Sequence, residues 1–282
     1  MLRWTLIVAS LLVHGIALAA SAPSTYGQSL LEGAARATPG FLSATIVATP
    51  PKASSAVVAA STNRARVGAK ADPADVATAT SATPSVAGMG TTVRLPLTDV
   101  SGDAIGVLVL TYATDDRAKA SAAAERTRDW LHRRVSHAGN LFDPYPYEPD
   151  APLNAYAQRL ADEFLERYPE IEIFAIHATP PGSDYNVIAG SNIGRIGKKA
   201  DNDDMRCVYT GKPNLEVNST GKRFETEMQL HDKAGTVIGA VGIVVAYKPG
   251  ADKEALHARA EKIRAELEAK IPDAASLFKP AH

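Results

Sequence analysis

Apolar residues recur at helical spacing over residues 154–168, as Tyr156, Leu160, Phe164 and Tyr168, and Pro169 closes the run. Residues 170–178 then alternate as a strand does, with Ile171, Ile173 and Ala175 on one side and Phe174 and Ile176 on the other. Pro180-Pro181-Gly182 forces a turn, and residues 186–191 read as a short second strand. Asp201 is placed to cap a short helix, with Asp204 in its first turn. Strands follow at residues 214–218 and 223–230, and a longer one at residues 237–247 is nearly all apolar, the pattern of a central strand packed on both faces. Leu256, Ala260, Ile263, Leu267 and Ile271 then form one apolar stripe on a charged helix over residues 252–271, which must lie against a core.

The first half of the chain repeats this order. Ala48-Thr49-Pro50-Pro51 matches Ala178-Thr179-Pro180-Pro181, Arg66-Val67-Gly68 matches Arg195-Ile196-Gly197, and Lys70-Ala71-Asp72 matches Lys199-Ala200-Asp201. "DVSGDAIGVLVLTY" from Asp99 lines up with "DKAGTVIGAVGIVVAY" from Asp232, and the closing helices share "AE" at Ala124 and Ala260 and "LF" near their ends. Ala120, Ala124, Leu131 and Val135 supply the first copy's helical stripe, and Pro73 follows Asp72 at the position where a helix best tolerates proline. Matches in one order at a slowly drifting offset mark a duplicated unit. The expected division is a first unit over residues 24–140, a Pro-rich connector over 141–152 and a second unit over 153–282.

The phrases "FAIHATPPGSDYNVIAGSNIGRIGK" and "TGKPNLEVNSTGKRFETEMQLHDKAGTVIGAVGIVV", with Ala-rich counterparts in the first copy, resemble the extracytoplasmic PAS-like sensor fold called Cache or PDC. The resemblance implies an α+β protein of two tandem PAS-like units, each an antiparallel sheet of about five strands flanked by helices. It also implies a small-ligand pocket between the sheet and the irregular segment after the second strand. The chain departs from double-Cache receptors in having no long stalk helix, no second membrane helix and no output domain, and it lacks the aromatic-rich amino-acid signature of some such sensors.

Composition refines this picture. Residues 1–20 carry Arg3, an apolar run and the small-x-small site Ala17-Leu18-Ala19, so they read as an export signal cleaved after Ala19 or Ala20. The mature protein is expected in the periplasm or outside the cell, with no transmembrane segment. Loss of Arg3 takes the formal charge from −1 to −2, which argues against nucleic acid or an anionic membrane as partner. Cys207 is the only cysteine, so stability must come from packing and not from an internal disulfide. It reads as a small buried side chain.

The pocket segment, carried onto this chain, spans residues 185–209, and its polar content lies in the second copy: Tyr185, Ser191, Asn192, Arg195, Lys199 and Tyr209. A binding copy needs directional donors and acceptors, and the first copy keeps little beyond Arg66 and Lys70. Arg195 suits a carboxylate through its paired donors. The alternative is that Arg195 and Arg66 each brace a loop. His177 has Val47 as its counterpart and is the last ligand candidate, although a lone strand histidine more often serves packing. Asp201-Asn202-Asp203-Asp204 offers oxygens for calcium, but it lacks the glycine and closing glutamate of a calcium loop, and helix capping accounts for it. No catalytic set, metal site or cofactor motif is expected, and therefore no enzyme. Two functions remain: an exported module that binds a carboxylate or amino acid in the second copy and presents it to a membrane receptor or kinase, or a ligand-free interaction scaffold of the cell envelope.

Overall fold

The computed structural model describes residues 24–87 and 91–281, and the expected export signal lies outside the described residues. In chain order the elements of the first half are β1 (Ser24–Thr25), α1 (Tyr26–Ala37), β2 (Phe41–Ala48), β3 (Val57–Ser61), α2 (Pro73–Ser81), β4 (Ser85–Ala87), β5 (Thr92–Thr98), β6 (Ala104–Tyr112), α3 (Arg117–His132) and β7 (Pro144–Tyr145). The second half runs α4 (Tyr156–Arg167), β8 (Ile171–Ala178), β9 (Val187–Ser191), α5 (Asn202–Thr210), β10 (Asn214–Val217), β11 (Arg223–His231), β12 (Val237–Ala246) and α6 (Lys253–Glu268). The protein is α+β, with two antiparallel five-stranded sheets ordered β3-β2-β6-β5-β4 and β9-β8-β12-β11-β10. The two orders are the same when strands are counted within each half. The apolar strand β12 is the middle strand of its sheet, as its composition requires.

Each sheet buries one face under two helices. Leu30, Leu31 and Ala34 of α1 and Ala120, Ala124 and Leu131 of α3 pack on Ile46, Leu95, Leu108 and Leu110. Leu160, Phe164 and Leu165 of α4 and Ala260, Ile263 and Leu267 of α6 pack on Phe174, Ile176, Met228, Val241 and Ile243. No residue belongs to both clusters. The remaining helices, α2 and α5, lie against the opposite faces of their sheets.

One assignment of faces changes. Ile171 packs with Phe174 and Ile176, not with Ile173, because the register of β8 on β12 slips between Ile173 and Ile171. The bulge leaves Glu172 as the extra residue and sends its neighbour to the helical side. His177, Ala175 and Ile173 stay on the other face.

The halves meet through hydrogen bonds rather than a shared apolar core. The Arg223 guanidinium lies 3.4 Å from Asp99 Oδ2 of the first half and donates to that half's Ser136 carbonyl at 3.0 Å and to its Ser101 hydroxyl, while Glu172 Oε2 of the second half lies 3.2 Å away. Arg133 donates to the Leu165 carbonyl at 2.6 Å, and Asn140 to the Ile193 carbonyl at 3.0 Å. The Pro-rich connector is tied at both ends of its path. β7 pairs with β1, and the Tyr147 N–H donates to the Ile196 carbonyl at 2.9 Å. Among the described residues no helix is long and apolar enough to cross a membrane.

Two glycines occupy equivalent places where strands approach closely. A Cβ on Gly106 would lie 2.1 Å from the Val47 carbonyl oxygen, and one on Gly239 would lie 1.9 Å from that of His177. Backbone cannot yield there as a flexible side chain would. Gly106→Ala and Gly239→Ala are each expected to lower unfolding free energy by about 1–3 kcal/mol, the usual cost of overpacking, in urea denaturation. A change within a few tenths of a kcal/mol at either site would contradict this crossing geometry.

Candidate functional site

On the face of the second sheet away from α4 and α6, the strands do not meet a full helical layer. A cavity of about 240 Å³ opens there, floored by Ile173, Ala175 and His177 of β8, Ile188 of β9, Glu225 of β11 and Val244 of β12. Its lid is the segment after β9, which contributes Ile193, Arg195, Lys198 and Lys199, together with Asp201 and Asp204 from the start of α5. This is the location that the sensor-fold resemblance implies for a ligand.

The lid is shaped by two local devices. Asp201 accepts from the backbone N–H groups of Asp203 and Asp204, while Asp204 Oδ2 accepts from the Asp201 N–H at 2.8 Å, a reciprocal capping box. Capping is thus what the acidic run does, as its pattern suggests. Arg195 sits at φ +62°, a left-handed conformation that costs a side-chain-bearing residue about 1–2 kcal/mol. That conformation carries the guanidinium to the rim, where Nε lies 3.2 Å from Asp143 Oδ2 and an Nη lies 3.0 Å from His137 Nε2. Burial and then the Arg195 charge hold the His137 pKa down, consistent with a neutral ring accepting from the arginine. Arg195 therefore both lines the cavity and braces the lid to the first half.

Beneath the lid, ionisable groups converge. His177 Nδ1 lies 3.3 Å from Asp204 Oδ2, and the ligand atoms of His177, Asp204 and Glu227 all fall within 4.8 Å of one another. His177 and Glu227 are buried, and Asp204 is nearly so. Burial works against charge on Asp204, yet the His177 ring and the Glu227 carboxyl beside it outweigh that and hold Asp204 well below the usual carboxylate range. Glu227 moves the other way, pushed up to about 10 by burial, by the proton it shares with Asp204 and by the neighbouring charges of Asp204, Glu225 and Asp201. Glu225 is raised as well, first by burial and then by Asp204 and Glu216. The inner wall is acidic and the rim, with Arg195, Lys198 and Lys199, is basic.

The other named residues go elsewhere. Asn192 is consumed by the join between halves: its side chain accepts from the Phe174 N–H and donates to the carbonyls of Arg133 and Glu172, each at 2.8 Å. Ser191 turns toward α4, where its backbone exchanges hydrogen bonds with the Gln158 side chain at 3.1 Å. Tyr185 borders a separate apolar depression with Pro152, Pro180 and Phe278, and Lys199 Nζ lies 4.1 Å from its ring centroid. Tyr209 is 78% exposed on the outer side of α5. Arg195, Tyr185 and Tyr209 thus do not share one cavity, because β9 and α5 send them in different directions. Cys207 is buried, its thiol against the carbonyls of Lys212 and Glu227.

Glu225 and Glu227 escaped the sequence reading, since alternation alone assigns them to an ordinary strand. A signal was present in the repeat. Arg94 pairs with Val109 three residues after Gly106, and Glu227 pairs with Gly242 three residues after Gly239, so the two occupy one position. In the first half the Arg94 guanidinium sits 2.7 Å from buried Asp75, and Asp75 stands to Asp72 as Asp204 stands to Asp201. Val47, the counterpart of His177, packs there with Val58 and Ala71. The first half fills this face with its own side chains, and the second does not.

No family model matches the chain, and no curated protein matches it in sequence. Among solved structures, a targeted domain of an IclR-family transcriptional regulator is 13% identical with a TM-score of 0.28, covering 44% of this chain and 97% of its own. PelD from Pseudomonas aeruginosa PAO1 is 14% identical with a TM-score of 0.27, covering 89% of this chain and 79% of its own, and that protein has also been solved in complex with c-di-GMP. Likeness at these scores carries neither fold nor ligand over to this chain.

Glu227 sets a pH dependence. Its folded value of about 10 lies above the ordinary 4.5, so its contribution to stability is fully present below pH 4.5 and is lost as pH rises toward 10. Glutamine keeps the shape and the donor but cannot titrate. In chelator-containing buffer, the melting temperature of Glu227→Gln relative to wild type should climb steadily from pH 5 to 9. A flat difference would contradict the assignment.

Proposed function

We propose that this protein is an exported sensor-type binding module that takes a small organic ligand with a carboxylate, an amino acid above all, into the cavity of its second unit. The observation that carries the reading is the contrast between the two open faces. One is filled by Val47, Val58 and Ala71 and sealed by Asp75 and Arg94, while the other keeps a cavity lined by charged groups of both signs. Basic groups at the rim suit a carboxylate, and Asp204 and Glu225 deeper in suit an ammonium group. Because the lid also contacts the first half through Asn192 and Arg195, ligand-dependent lid position has a route to the rest of the molecule. The export signal and the Cache-like phrases support presentation of the loaded form to a membrane receptor or kinase.

The scaffold reading keeps one observation in its favour: Tyr209 and Leu215 are exposed apolar side chains on the α5–β10 side, 78% and 44% accessible. A thermal-shift screen of the folded chain against amino acids and small carboxylates, with chelator present, separates the two. Saturation at about 100 times Kd stabilises by about 2.7 kcal/mol, a shift of several degrees. Arg195→Ala should remove the shift. Absence of any shift across the panel would favour the scaffold.

A further inference from the structure

The cluster under the lid has a feature that shared protons leave unexplained. His177 Nδ1 is buried with no hydrogen-bond partner, although Asp204 Oδ2 is only 3.3 Å away. The contact is close enough for charge to be felt, but out of line for an N–H···O bond. Such a spacing arises naturally when two lone pairs converge on one ion: bonds of about 2.0–2.1 Å in a tetrahedron set neighbouring ligand atoms about 3.3–3.4 Å apart. Glu227 completes a set whose ligand atoms all lie within 4.8 Å, a spread that a bound ion would draw in.

The first half shows what the fold needs at this place. Beside the equivalent aspartate, Asp75, it sets the Arg94 guanidinium, a fixed positive charge at 2.7 Å. In the second half a carboxyl replaces the guanidinium and an imidazole replaces Val47, so the positive partner of Asp204 has been exchanged for two more ligand groups. These groups come from firm supports. His177 is on β8 and Glu227 on β11, both inside the sheet, and the Asp204 carboxylate is oriented by the Asp201 N–H, the outer contact that metal ligands usually require. His177 and Asp204 also line the cavity, which provides an entry path.

We propose that His177, Asp204 and Glu227 form a binding site for one divalent first-row transition-metal ion of the zinc type, with its open coordination position facing the cavity. Imidazole with two carboxylates suits zinc and its neighbours, whereas calcium takes six to eight oxygens. The site stands independently of any organic ligand, so the probe is the metal alone.

The full chain, stripped with chelator and dialysed, is titrated with Zn2+ by calorimetry and with Co2+ by visible absorption. Wild type should take up one equivalent, show the absorption of a low-coordinate Co2+ ion and melt higher when loaded. His177→Val and Glu227→Arg restore the residue types of the first half, so both should fold, and each should weaken binding at least 100-fold and abolish the Co2+ spectrum. Asp75→Asn should leave uptake unchanged. No uptake by folded wild type, or uptake that His177→Val leaves intact, would overturn the site. Should Glu227→Arg fail to fold, the Co2+ spectra of wild type and His177→Val decide the matter. Loss of metal binding would leave the amino-acid screen unaffected, because that screen is run with chelator present.

Discussion

A sheet covered by helices on one side has a second face, and that face must be closed by something other than a helical layer. This constraint organises both halves of the molecule. In each, the segment after the second strand and a short helix begun by an aspartate fold back over the face, and a second aspartate one turn on points beneath the lid. What that aspartate meets decides the character of the half. Against Arg94 it forms an ion pair, and Val47, the counterpart of His177, packs with Val58 and Ala71. Against His177 and Glu227 it meets an imidazole and a second carboxyl in place of a guanidinium, and the space beside them stays open.

The lid of the second half has a further attachment. Ile193, Arg195 and Lys198 line the cavity, and the same stretch is held to the first half through Asn192, the Ile193 carbonyl and Arg195, and to Tyr147 of the connector through the Ile196 carbonyl. Arg223, nearby on the cavity margin, is held by Asp99 and by the Ser136 carbonyl of the first half. Duplication therefore supplied more than a second copy. The lid of the second unit is set against the first by polar contacts, while the two apolar cores stay separate.

Much of the architecture could be read from the chain. Tyr156, Leu160 and Phe164 announce α4 by their spacing, the apolar run of β12 announces a central strand, and Asp201 announces the cap of α5, because these depend on near neighbours. Repetition then extended the reading of the clearer copy to the Ala-rich one. The face of Ile171 was not legible, since a bulge is fixed by pairing with β12 and leaves no local mark. Nor were the fates of Asn192 and Tyr209. Both are polar residues in the segment the resemblance points to, but one is turned into the join between halves and the other outward, by strand and helix directions that composition does not encode. Glu227 was hidden for a different reason: its meaning appears only when it is set beside Arg94.

The central claim is that Asp204 of the second unit stands among ligand groups for a metal ion, where the equivalent Asp75 of the first unit is paired with Arg94. Crystals of the chain grown with zinc, with diffraction recorded at the zinc edge, test it most directly. The account predicts an anomalous peak at bonding distance, about 2.0–2.2 Å, from His177 Nδ1 and one oxygen each of Asp204 and Glu227, with nothing beside Asp75 and Arg94. An empty map at that place, with Glu227 still hydrogen-bonded to Asp204, would contradict it.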